Sequence, residues 1–152
     1  MGTVTKIRRR PKVVDIADYQ SVVVIPLTES DKVLVTFDRS SPHGFPVGPI
    51  NADEYGDETV IKILEVYTGL RLKKERFHFI TRQDIKAVRT YSYAILLSEK
   101  ELNSVSEMYE HLRSGIKVAH IETVMSMNFY PAHLEVLKTF AVLLPKMKIK
   151  KR

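Results

Sequence analysis

Five carboxylates crowd one short stretch of this chain: Asp53, Glu54, Asp57, Glu58 and Glu65. Carboxylate oxygens are the ligands that hard cations such as Mg²⁺ take. Metal-assisted cleavage of a diphosphate is the chemistry such a set can support. Glu58, Lys62 and Glu65 stand at i, i+4 and i+7, so on a helix they share one face. That spacing reads either as a solvated face with a weak ion pair or as part of a metal site built from Glu54 and Glu65. The histidines are His43, His78, His111, His120 and His133; none has zinc-ligand spacing, and the chain has no cysteine to support them. No G-x-S-x-G elbow, Walker loop or Rossmann fingerprint is present.

The elements that must position these acids can be read from the pattern. Ser21 to Pro26 is a β-branched run ending at the turn residues Glu29-Ser30-Asp31, and Val33 to Phe37 is its hairpin partner. Ser40 to Pro49 holds three prolines and two glycines and reads as loop. Asp57 is placed to N-cap a helix running to Thr68, with Gly69 to end it. Phe77, Phe79 and Thr81 alternate with Arg76, His78 and Arg82 as a half-buried strand, and Tyr91 to Leu97 is another. Ser106 to Arg113 and Ala119 to Ser126 read as short helices. Pro131 suits the first turn of a last helix that Pro145 would stop. Strands around a helix, then helices, predict layered α/β or α+β packing. A chain of 152 residues with 44% hydrophobic content is one domain able to bury a core. No apolar run reaches the ~18 residues of a membrane span, and no signal peptide is visible. The expectation is an intracellular, cytoplasmic protein without disulfides or membrane partner.

Residues 48–70 carry a resemblance. Gly48, Glu54, Leu64, Gly69 and Leu70 fit the Nudix box, G-x5-E-x7-R-E-U-x-E-E-x-G-U with U bulky and aliphatic. Lys62 stands where the arginine belongs, and the remaining glutamate positions carry Ile63, Val66 and Tyr67. The flanks resemble the branch of that family that cleaves ADP-ribose. They comprise Phe45-Pro46-Val47-Gly48 before the box, the hairpin with Arg39 after it, and Met108 to Ile116 as a helix ending at Gly115. The resemblance covers roughly residues 20 to 143. It implies an α/β/α sandwich with a mixed sheet over residues 16–144, between basic tails at 1–15 and 145–152. In the family the box glutamates hold the divalent metals, and isoleucine, valine and tyrosine cannot. The resemblance therefore implies a fold built for hydrolysis with its catalytic carboxylates gone, no catalytic residue and no cofactor. A hydrolase reading would need Mg²⁺ or Mn²⁺ on Glu54, Glu65 and one of Glu99, Glu101 or Glu122. Arg39, Phe45 and Glu54 are where it implies nucleotide contacts. On the helix itself, Val60, Ile61, Ile63, Leu64, Val66 and Tyr67 leave little polar circumference. Either the old cleft has filled with side chains, or this face meets a protein partner.

Charge is unevenly spread. Lys6, Arg8, Arg9, Arg10 and Lys12 lie in an acid-free stretch, as do Lys146, Lys148, Lys150, Lys151 and Arg152. Setting these ten aside leaves 14 of the 24 basic residues against 18 acidic ones, so the net charge of +6 belongs to the tails. Such tails suit a polyanion, and the expected partner is RNA or a ribonucleoprotein. Arg71, Lys73, Lys74, Arg76, Arg82, Lys86 and Arg89, interleaved with Phe77, Phe79, Tyr91 and Tyr93, extend that pattern into the folded part. The plainer reading of this segment is core aromatics and solvated charges on opposite faces of a strand.

Overall fold

The structure, a computed structural model, describes residues 19–38, 41–85, 87–109 and 115–139. Its frame is a mixed sheet of seven strands. They are β1 (Tyr19–Leu27), β2 (Lys32–Asp38), β3 (Ser41–Gly44), β4 (Val47–Pro49), β5 (Phe77–Ile85), β6 (Val88–Leu96) and β7 (Gly115–His120). The central order is β3-β2-β1-β6-β5, with β4 pairing β1 and β7 pairing β2. β1 and β6 are parallel over their whole length, from Tyr19 opposite Val88 to Leu27 opposite Leu96. The other pairs are antiparallel.

The unbroken apolar run of β1 follows from its central place, since both of its faces are buried. Val23, Ile25 and Leu27 join Val35, Phe45, Ala94, Leu96, Phe129 and Leu137 on one side. The single turn α3 (Ile121–Val124) and a last helix, α4 over 131–139, supply Val124 and Val136 to that layer. Val22 and Val24 join Leu34, Ile95, Val60, Leu64, Leu102 and Val105 on the other, under α1 (Gly56–Thr68) and α2 (Glu99–Tyr109). Helices on both faces of a mixed sheet make the layered packing that the sequence pattern predicts and the α/β/α sandwich that the resemblance implies. Among the described residues no helix is long and apolar enough to cross a membrane.

Several local expectations change. Residues 41–49, expected as loop, form β3 and β4, two strands of four and three residues. Their prolines are tolerated because short edge segments leave backbone donors unused. The N-cap of α1 is Tyr55, not Asp57, because Glu58 reaches back to accept the Tyr55 N–H at 3.1 Å. Its other end is as expected: Gly69 takes φ 79° and donates to the Glu65 carbonyl at 2.7 Å. α2 begins at Glu99 rather than Ser106. Ser98 and Glu101 close a reciprocal cap there, Ser98 N–H to Glu101 at 2.9 Å and Glu101 N–H to Ser98 at 3.1 Å. Residues 110–114 and Pro145 lie outside the described residues. Gly115 opens β7 instead of ending a helix, and Ala119 and His120 are strand, because the free edge of β2 pairs Lys32 to Phe37 with His120 to Gly115.

Candidate functional site

The glycine that opens the box lies in β4, opposite Val22. A Cβ built on Gly48 would stand 2.1 Å from the Ile63 Cδ1 and 3.1 Å from its Cγ1. Helix α1 therefore presses its Ile63 directly onto the Gly48 backbone. One turn later the Tyr67 hydroxyl donates to the Val47 carbonyl at 3.3 Å. Ile63 and Tyr67 pack against the α1–α2 core, as Leu64 and Leu70 do, whereas Val66 is 75% exposed. Two of the three positions where the resemblance implies glutamates thus seal the helix to β4. Most of the apolar helix face packs inward, with Ile61, Ile63 and Tyr67 half-buried and Val66 exposed.

Glu54 has its own partner. Its carboxylate pairs with Lys62 and accepts from Thr59 Oγ1 at 3.2 Å and the Asn51 N–H at 3.4 Å. The Glu54 side chain is only 14% exposed. The Lys62 hydrogen bond holds the Glu54 carboxyl below its usual range, and Glu54 in turn raises Lys62. The Lys62 ammonium occupies the Glu54 carboxylate, so a divalent cation would have to displace it. The expected Glu58–Lys62–Glu65 face does not pair internally. Lys62 reaches back to Glu54, Glu58 caps Tyr55, and Glu65 takes Arg71 at 2.8 Å.

The other acids considered for a metal are also engaged. Glu99 accepts from Ser30 Oγ at 2.6 Å and pairs with Lys32 at 3.3 Å. Glu101 is gripped bidentately by Arg76, both contacts 2.9 Å, while Arg76 also donates to the Leu96 carbonyl at 2.8 Å. That guanidinium holds the Glu101 carboxyl down at about 2. Glu122 lies in the first turn of α3. Among the described residues no three His, Asp or Glu side chains converge on a point that could hold a metal ion. These residues do not fit the metal centre that the family resemblance implies.

Phe45, expected beside a nucleotide, is core. Its ring is fully buried, edge-on to Phe129 at 5.0 Å and stacked on His133 at 6.1 Å. The Phe45 N–H donates to His133 Nδ1 at 3.0 Å, so that nitrogen carries no proton and the imidazole is neutral. His43 ties β3 to residues 128–130: its N–H donates to the Asn128 carbonyl and its own carbonyl accepts from the Tyr130 N–H, both at 2.8 Å. Arg39 lies outside the described residues. Burial lowers the His133 pKa from 6.5 to about 4. The folded state therefore binds this proton less readily than the unfolded one. The stability it carries is full above pH 6.5 and declines as pH falls toward 4, by about 3 kcal/mol over the window. Urea denaturation across that range should show the decline, and His133→Gln should flatten it. An unchanged profile in the variant would assign the acid sensitivity elsewhere.

The predicted basic positions divide. The tail residues Lys6, Arg8, Arg9, Arg10, Lys12, Lys148, Lys150, Lys151 and Arg152 lie outside the described residues, as does Lys86. Arg71 and Arg76 hold the carboxylates named above, and Lys74 lies 3.8 Å from Asp57. Arg82 and Arg89 share Asp84, at 3.6 and 2.9 Å. No carboxylate among the described residues lies within 4.0 Å of Lys73. Lys73 lines a shallow cleft of about 350 Å³ with Ile61, Arg71, Leu72 and Lys74. The aromatics split as well: Phe77 is buried, Tyr91 and Tyr93 are half-buried, and Phe79 is 54% exposed. Simple alternation missed one feature here. A register shift between Phe79 and Thr81 turns Arg82 onto the aromatic face, opposite Tyr91.

No family model matches the sequence, and no curated protein matches it. Solved structures do. A mutT/nudix family protein from Listeria innocua superposes with a TM-score of 0.71 at 11% identity, over 87% of this chain and 98% of that one. The Nudix domain of Shewanella oneidensis NrtR, solved with ADP-ribose, gives 0.62 at 22% identity, over 82% and 87%. NrtR bound to a 27mer DNA gives 0.65 at 20% identity; the match covers 79% of this chain but 59% of that one. The sheet order, the box helix sealed on Gly48 and these superpositions agree: the chain has the Nudix fold.

Proposed function

We propose that this is a Nudix-fold protein that binds without hydrolysing, and that its partner is RNA or a ribonucleoprotein contacted through the basic tails. The observations that carry the first half are the seating of Ile63 on Gly48 and the pairing of Glu54 with Lys62. Hydrolysis of a diphosphate on this fold would need carboxylates where those side chains sit. The acid-free tails support the second half, because contacts between cations and a polyanion release counterions. A DNA complex is known for a protein of like fold, NrtR. The match covers only 59% of that chain, so its DNA contacts are not transferred to this one.

The ADP-ribose bound by the NrtR Nudix domain favours one competing reading, a nucleotide hydrolase of unusual ligand set. A single assay separates the two. The full chain is given ADP-ribose and a nucleotide panel with Mg²⁺ or Mn²⁺, beside a Glu54→Gln/Glu65→Gln variant. Turnover should not exceed the variant's background. Turnover that the variant abolishes would mean that the remaining acids assemble a metal site, and the binding reading would be lost.

A further inference from the structure

One stretch of the sheet is dressed differently from the rest. α1 packs mainly on β1 and β4, and α2 on β7. The β5–β6 side of that same face carries Phe79, which is exposed, and Tyr91 and Tyr93, which are half-buried and pack against the core. The start of α1 at Gly56 lies close to the Tyr93 hydroxyl. Phe79 stands directly across from Tyr93, edge-on at 5.6 Å, and its ring centre is 6.4 Å from that of Tyr91. Directly opposed residues point to the same face, so Arg82 (opposite Tyr91) and the Asp84–Arg89 pair continue the row. A fully apolar edge here would invite another strand; these rings are instead bordered by guanidinium groups.

The charge on this row points to an anion. Two arginines share the one carboxylate of Asp84, which leaves one net positive charge. β1 enters the sheet at Tyr19, paired with Val88 and so beside Arg89. Lys12 is only seven residues before Tyr19, and residues 1–12 hold five cations and no acid. One exposed ring, two half-buried rings and two guanidinium groups are therefore grouped at one edge, and the cationic stretch 1–12 precedes it in sequence.

We propose that the face of Phe79, Tyr91, Tyr93, Arg82 and Arg89 is a stacking platform for unpaired nucleotides of an RNA strand. The proposal rests on the RNA reading above and adds to it a site and a substrate form. Rings on an open sheet stack on bases that are free to splay out. A duplex hides its base faces and offers only its backbone.

The test uses the full chain, a labelled 15-nucleotide single-stranded RNA, and the same sequence as a duplex, followed by fluorescence anisotropy. Phe79→Ala should weaken single-strand binding about tenfold, leave duplex binding within about twofold, and be largely rescued by Phe79→Tyr. Because Phe79 is exposed, the variant should keep its fold, which thermal unfolding checks. Equal losses on both RNAs, or no loss on either, would overturn the platform while leaving an RNA-binding protein. Self-association in sedimentation that Phe79→Ala abolishes would make this face a contact between copies and overturn it too. Failure of the unmodified chain to bind either RNA would remove the RNA reading itself.

Discussion

Replacing Phe45 with alanine is expected to lower the unfolding free energy by about 4 kcal/mol. The ring is wholly buried between Phe129 and His133, in a core that includes Val35, Leu96 and Leu137. Its neighbours cannot collapse easily into the space. The Phe45 backbone is fixed to His133, and a Cβ at Gly44 would already stand 2.9 Å from both His133 Nδ1 and Tyr130 Cδ2. Val66→Ala is the internal comparison. Both residues stand in the region of the resemblance, yet Val66 is 75% exposed, and its truncation should change stability by less than about 0.5 kcal/mol. Urea denaturation of both variants at pH 7 reads the contrast. A Phe45→Ala cost below about 1 kcal/mol would mean that the loop before the box is not core, and would reopen it as a ligand wall. Truncation should also admit water to His133 and so raise its pKa, making the variant's acid sensitivity smaller than that of the parent chain.

What could be read in advance follows from where the determinants lie. The hairpin of β1 and β2, the helix ending at Gly69 and the last helix after Pro131 are set by local signals: a β-branched run, a left-handed glycine, a fixed proline φ. β3, β4 and β7 are set by partners far away in sequence. Nothing within 115–120 says that β2 will offer an edge, and Pro42 and Pro49 argue against strand on local grounds. The site divides the same way. That Ile63, Val66 and Tyr67 cannot bind a metal is legible from residue type alone. That Ile63 rests on Gly48, that Lys62 closes on Glu54 across eight residues, and that Arg76 clamps Glu101 rather than facing outward are tertiary facts without a periodic signature. The turn of Arg82 onto the aromatic face comes from one irregularity in β5, which strict alternation passes over.

Deleting residues 1–12 and 145–152 should produce the largest functional effect available in this chain. It removes ten cations and no acid, taking a formal net charge of +6 to one of −4. If about six of those cations meet phosphates of a single strand, the slope of log affinity against log salt is about −4. Raising salt from about 50 to 200 mM then costs the full chain roughly 300-fold in affinity. The truncated chain, acidic overall, should bind at least about 100-fold more weakly at low salt and show a slope near zero. Stacking on Phe79 behaves differently, because it neutralises no phosphate. Phe79→Ala should shift the affinity by a similar factor at every salt concentration and leave the slope unchanged. The two contributions are thus separable in one titration series. An affinity insensitive to salt in the full chain, or untouched by removing the tails, would show that the basic tails are not what holds RNA. Whatever binding remained would then have to come from the folded body, where, among the described residues, Arg71 and Arg76 each hold a carboxylate of their own and Arg82 and Arg89 share one.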